Sequence, residues 1–241
     1  MKKIGLLRKN NMKKIGLLML VILFVFSLRG ESDLIFEYES ILTASMDGET
    51  EKHVSHEKNY LSDIGWKIED LGNQTITIIR ADKKVIWNID LRNNLYYELS
   101  FLEADQLKTD TEADMASSGK QSDIRVENTG IEENVLGYDS TKYLVYMDNE
   151  LMSEVWTTTD EPFDQNFMQL YKNLNSFSVS GFEELEQIEG FPVQITNYFD
   201  TEEAEIRSKS YLKTVTDQKI REEEFELPEG LIKINAPMGR E

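Results

Sequence analysis

The chain has 241 residues, with 45 Asp and Glu against 26 Lys and Arg, two His and no Cys. Seven of the basic residues and none of the acids lie in residues 1–30, so the remaining body is far more acidic than the whole. The missing cysteine excludes disulfides, thiolate metal sites and a lipid-modified cysteine anchor. The negative field excludes nucleic acid and anionic lipid surfaces as natural partners.

Ile15–Leu28 (IGLLMLVILFVFSL) is apolar and follows Lys13-Lys14. A basic start, a short apolar core and a small-residue exit at Ser27 and Gly30 make a secretory signal. The run falls short of the roughly 20 apolar residues of a spanning helix. Residues 1–30 are therefore expected to be a signal peptide, with an uncleaved anchor as the alternative, because Leu28-Arg29-Gly30 is a poor cleavage site. Met1–Leu7 recurs as Met12–Leu18, which reads as a short duplication or an upstream start codon. Export places the protein in the periplasm or outside the cell, with no membrane span after signal cleavage. Residues 31–241 carry enough Phe, Tyr, Trp and aliphatic side chains for one domain with a sizeable core.

Strand patterns dominate this body. Leu34–Met46 alternates, with Leu34, Phe36, Tyr38, Leu42, Ala44 and Met46 on one face. Glu51–Tyr60 and Ile64–Glu69 are expected to follow as strands, with a turn at Gly72-Asn73. Thr75–Arg80, Val85–Asp90 and Leu95–Phe101 form a meander, separated by Ala81–Lys84 and Leu91–Asn94. Glu103–Gln121 is polar and predicts a surface crossing with one weak helix. Strands resume at Tyr138–Met147 and Met152–Thr158, around a turn at Asp148–Glu150.

Thr159 or Asp160 can cap a helix that carries Pro162 in its first turn. Phe163, Phe167, Leu170, Tyr171, Leu174 and Phe177 then recur at helical spacing. This stripe is either core or a movable lid over an apolar cavity. Gly181–Gly190 predicts a second short helix. Phe191–Phe199, Ile206–Thr216, Ile220–Phe225 and Leu231–Asn235 read as closing strands, with a turn at Pro228–Gly230. The sum is a mainly β chain, an antiparallel sheet of about eleven strands with one to three helices.

Catalytic parts are scarce. His53 and His56 lie in a strand, where odd and even positions face opposite ways, so they do not make a shared site. No metalloprotease, nucleophile-elbow or phosphate-loop motif occurs. Glu183-Glu184, Glu202-Glu203 and Glu222–Glu224 read as solvated faces, and no acidic loop has the calcium-loop pattern. No catalytic residue, metal site or cofactor is expected. A curved sheet with an apolar concave face is instead a natural receptor for a greasy ligand.

Gly137–Asp160 (GYDSTKYLVYMDNELMSEVWTTTD) and Glu224–Ile234 (EFELPEGLIKI) resemble a family of exported bacterial proteins, the domain of unknown function 4412. The likeness rests on a Gly-Tyr, a Lys-Tyr strand, a Glu-Val-Trp strand before the helix, and a closing Phe-x-x-Pro-x-Gly segment. It extends over roughly 33–235. The family is similar in architecture to periplasmic lipoprotein carriers. That implies a strongly curved, unclosed β-barrel with helices packed on the concave face, and carries over no catalytic residues.

The leading expectation is a non-enzymatic envelope protein binding an apolar or lipid-like ligand in a half-barrel. Tyr38, Trp87, Tyr97, Tyr143, Trp156, Phe163, Phe167 and Leu170 are the candidate lining residues. The alternative is a protein-interaction or envelope stress-sensing module whose acidic face meets a basic envelope protein.

Overall fold

The computed structural model describes residues 33–46, 49–107, 109, 123–163, 165–175, 185, 187–200 and 204–236. The expected signal, the acids at Glu183-Glu184 and Glu202-Glu203, and Phe177 lie outside these residues. Among the described residues no helix is long and apolar enough to cross a membrane.

Among the described residues, twelve strands form one sheet. They are β1 (Leu34–Met46), β2 (Glu49–Ser62), β3 (Gly65–Asp70), β4 (Thr75–Arg80), β5 (Val85–Asp90), β6 (Leu95–Ser100), β7 (Ile124–Val135), β8 (Tyr138–Met147), β9 (Glu150–Thr158), β10 (Phe191–Asp200), β11 (Glu205–Asp217) and β12 (Ile232–Lys233). Helix α1 covers 101–107 and helix α2 is Gln165–Asn175. The spatial order is β12-β6-β5-β4-β3-β2-β1-β11-β10-β9-β8-β7, so the sheet is open, with β7 and β12 as its edges. All pairings are antiparallel except β12 with β6, which is parallel.

The meander is built from three alike turns. Gln74, Lys84 and Asn94 each take a left-handed backbone at the last turn position. Asp70 accepts from the Gly72 and Asn73 backbone N–H groups, and Asp90 accepts from that of Asn93. Such aspartates satisfy turn donors that would otherwise lack partners. Gly65 is required for another reason: a Cβ there would lie 2.0 Å from the Ile79 carbonyl oxygen on the neighbouring strand. α1 begins with a reciprocal cap, as Glu103 N–H donates to Ser100 Oγ and Ser100 N–H to Glu103 Oε2.

The main core gathers Leu34, Phe36, Leu61, Trp66, Ile79 and Ile86 with Trp156, Phe163, Phe167, Leu174, Phe191, Val193 and Leu212. Strands β5 and β10 are far apart in the sheet, so one cluster can include both only if the sheet curls strongly around the helices. Phe191 is its hub. It stacks on Phe163 at 4.1 Å and meets Phe36, Phe167 and Tyr171 edge-on. Aromatic pairs of this geometry add to the area term.

The opposite face of β4 and β5 is also apolar. Ile76, Ile78, Trp87 and Ile89 are covered by Ile220 and Phe225. Fully buried Arg80 pins this cover, donating to Asp82 at 2.8 Å, to Glu226 at 2.7 Å and to the Phe225 carbonyl at 3.2 Å.

Four sequence expectations are corrected. A further strand, β7, precedes β8 at the sheet edge. Ile220–Phe225 is not a strand: Glu222–Phe225 is a 3-10 turn whose Phe225 plugs the second cluster. Its acids are not merely solvated, because Glu224 pairs with Lys67 at 3.4 Å and Glu222 with Arg80 at 3.5 Å. The helix is Gln165–Asn175, so neither expected cap, Thr159 or Asp160, adjoins it, and Asp160 accepts instead from the Asp139 N–H of β8.

Phe191→Ala is expected to lower the unfolding free energy by about 3–5 kcal/mol. Phe199→Ala, on the same strand but exposed, should change it by less than about 0.5 kcal/mol. Urea denaturation of the two variants measures the contrast.

Candidate functional site

Three rows of cross-strand partners run across the helix-covered face from β1 to β6. The first, Leu34, Leu61, Trp66, Ile79, Ile86 and Leu99, is apolar. The second, Phe36, Asn59, Ile68, Thr77, Asn88 and Tyr97, mixes rings with amides and a hydroxyl. The third, Tyr38, Glu57, Asp70, Thr75, Asp90 and Leu95, holds three carboxylates. Polarity therefore rises stepwise along one face, by two residues per step as the pleat requires.

Tyr38, Trp156, Phe163, Phe167 and Leu170 come together in or against the main core. Tyr38 Oη donates to the Pro192 carbonyl at 2.5 Å, and its phenol is pushed well up by burial. Trp156 sits beside the β-bulge between Pro192 and Gln194, with the Lys142 ammonium 5.7 Å over its ring. Tyr97 lies in the second row, its phenol raised by burial.

Tyr143 stands apart. It belongs to a third cluster with Val145 and Val155. The partner row Ser40, Ser210, Ile195, Val155 and Tyr143 nonetheless keeps it on the face of Tyr38. Trp87 does not join the others. It belongs to the opposite face, under Phe225, and its Nε1–H donates to Glu98 at 2.8 Å. The helix-covered face continues past the main core through Leu42, Met46 and Phe199, which are 42%, 56% and 45% exposed.

Sequence reasoning did not single out Glu57 or Asn59, and Tyr171 entered it only as part of the helix stripe. Trp66 Nε1–H donates to Asn59 Oδ1 at 2.9 Å, and Asn59 Nδ2 donates to Glu57 Oε1 at 2.8 Å. The fully buried Asn59 is thus held in one orientation, with its amide donor toward the carboxylate. Glu57 is raised above its ordinary 4.5 by burial, against the Asn59 hydrogen bond and with the Asp70 charge adding to it. Burial raises the Tyr171 phenol, and the Glu57 charge adds to this. Asp70, in the same row, is held below its ordinary range by its turn partners Asn73 and Gly72, which outweigh its own burial. Among the described residues no group of three or more His, Asp or Glu side chains is arranged to hold a metal ion. His53 and His56 face opposite ways on β2, opposite Leu42 and Glu39.

A carboxylate whose folded pKa is raised disfavours the folded state once it ionises. Relative to low pH, stability is lost as pH rises from the ordinary value through the folded one. Glu57→Gln removes this penalty while keeping an acceptor for Asn59. The variant should melt higher than the parent at pH 7, and the difference should vanish below about pH 4. Thermal melts at the two pH values check the sign.

No curated protein matches the sequence. Among solved structures, the chain is similar to an uncharacterized conserved protein from Thermus thermophilus, at 10% identity and TM-score 0.44, over 83% of this chain and 90% of that one. It is also similar to a LolA superfamily protein from Nitrosomonas europaea, at 8% identity and TM-score 0.33, over 83% and 92%. Likeness at this level carries no functional argument. Residues 42–231, most of the chain, match the family described as Domain of unknown function (DUF4412), and the chain belongs to that family.

Proposed function

We propose that this is an exported, non-enzymatic protein that binds an apolar or lipid-like ligand in the concavity of its open half-barrel. The observation that carries the reading is an apolar face larger than its cover. Leu42, Met46 and Phe199 extend the face of the main core yet stay exposed among the described residues. Exposed apolar surface continuous with a core marks a binding surface more often than a defect.

The cover itself is slight. α2 is 11 residues long and meets the core through Phe167 and Leu174, with Met168, Leu170 and Tyr171 packed against it. An isolated helix of this length is marginal in water, so its packing on the sheet sets its stability. A greasy ligand offering equivalent contacts competes with it directly. Export rests on the basic, apolar start of the sequence, and the non-enzymatic reading on the lack of a catalytic motif in it.

Native mass spectrometry of the protein purified from an expressing bacterium, with solvent extraction, tests the reading. An acyl-chain mass that is lost on denaturation is the expected result. A clean apo mass that added lipids fail to shift would overturn it. Leu42→Asp should weaken binding of an apolar fluorescent probe roughly tenfold, while stability stays within about 0.5 kcal/mol of the parent.

A further inference from the structure

Of the three carboxylates in the third row of the concave face, none has an ion-pair partner among the described residues; Asp70 and Asp90 are engaged by their turns, and Glu57 is not. On the opposite face the acids of the same strands are paired internally. Glu37 meets Lys58 at 3.5 Å, Glu39 meets Lys213 at 3.5 Å, and Glu69 meets Lys67 at 2.7 Å. The rings there have cations too, with Lys58 and Lys67 over Tyr60 and Lys213 over Tyr211. Glu57, on the concave face between Tyr38 and Asp70, accepts one hydrogen bond, from Asn59, and has no Lys, Arg or His partner among the described residues.

The surroundings of Glu57 are those that bind ammonium groups. Tyr38 is its direct cross-strand partner on β1, and the charge of Glu57 also raises the Tyr171 phenol. Tyr171 packs on Trp66 at 5.4 Å, and Trp66 holds Asn59 in place. None of these three rings has an internal cation over it among the described residues. A desolvated carboxylate framed by aromatic faces attracts organic cations through both charge and ring quadrupoles. Asp70 cannot take this role as readily, because its oxygens already serve the turn at Gly72-Asn73. The unmatched charge also lies at the polar end of the three-row gradient, two pleats from the apolar row.

We propose that Glu57, framed by Tyr38, Tyr171 and Trp66, is the headgroup site for an amphiphile bearing an organic ammonium group, whose apolar part enters the concavity. The inference rests on the apolar-ligand reading and adds the chemistry of the polar end. An ammonium group would supply the cation that the fold omits from this face while providing it on the other.

The test is calorimetric titration of the full chain with dodecylamine and with 1-dodecanol, both below micellar concentration. The parent should prefer the amine roughly tenfold. Glu57→Gln should abolish the preference and leave dodecanol binding unchanged, whereas Glu57→Asp should retain part of it. Glu37→Gln removes an acid from the opposite face and should keep the full preference, which controls for attraction of the amine to an acidic protein. Retained preference in a folded Glu57→Gln variant would overturn the headgroup site. So would equal binding of both ligands by the parent, which would leave the apolar reading standing. Binding of neither ligand would overturn both.

Discussion

The pairing of β1 with β11 is the constraint on which the rest depends. Every other strand from β1 to β6, and from β7 to β11, pairs with its neighbour in sequence. Those hairpins form two local meanders. Only the β1–β11 ladder, running from Leu34–Asp217 to Ser45–Glu205, joins them into one sheet. Such a contact carries a large loop-closure entropy, so it forms late and costs the most to nucleate. Its register also decides which side chains meet in the core, because a slip of one residue would turn Phe36 and Tyr38 away from Phe191. A bulge between Glu37 and Tyr38 interrupts the ladder next to that contact.

Around this seam the molecule is asymmetric in polarity. The convex face pairs Glu37, Glu39 and Glu69 with lysines of the same sheet. The concave face divides its work between an aromatic core and a row that holds Glu57. Burial that raises the Glu57 carboxyl costs stability at neutral pH, yet the fold keeps the side chain and fixes Asn59 beside it. Retaining a group that weakens the fold is physically sensible when something outside the chain compensates it. That compensation is the common ground between the stability of the empty protein and what it binds.

Much of the sheet was legible because alternating or apolar runs are divided by short polar turns. Leu34–Met46, Thr75–Arg80 and Val85–Asp90 match their strands residue for residue. Trp87 could not be assigned a face from its sequence, because β4 and β5 are buried on both sides and read as near-continuous apolar runs. β7 escaped notice for the opposite reason: beyond Ile124 and Val126, which pack on the third cluster, its sequence is mostly polar, as an exposed edge strand can be. Helix spacing located α2 but not its start, since the Asp160 carboxylate is taken up by the Asp139 N–H of β8, a contact that only the tertiary structure makes. Glu57 was readable in principle. It alternates with Asn59 and Leu61, and a carboxylate in phase with a core leucine is the signal that could have singled it out.

The edges of the open sheet bear on how the protein survives at high concentration. An unpaired strand invites a second copy to extend the ladder. At one end the terminal strand, β12, is two residues long and offers almost no template. At the other, β7 exposes Glu127, Glu132 and Glu133 along its length. Two such edges brought side by side would set carboxylates against carboxylates. The barrel can therefore stay unclosed, with its interior within reach, without zipping into fibres, and the strong acidity of the chain acts there as a guard against self-association.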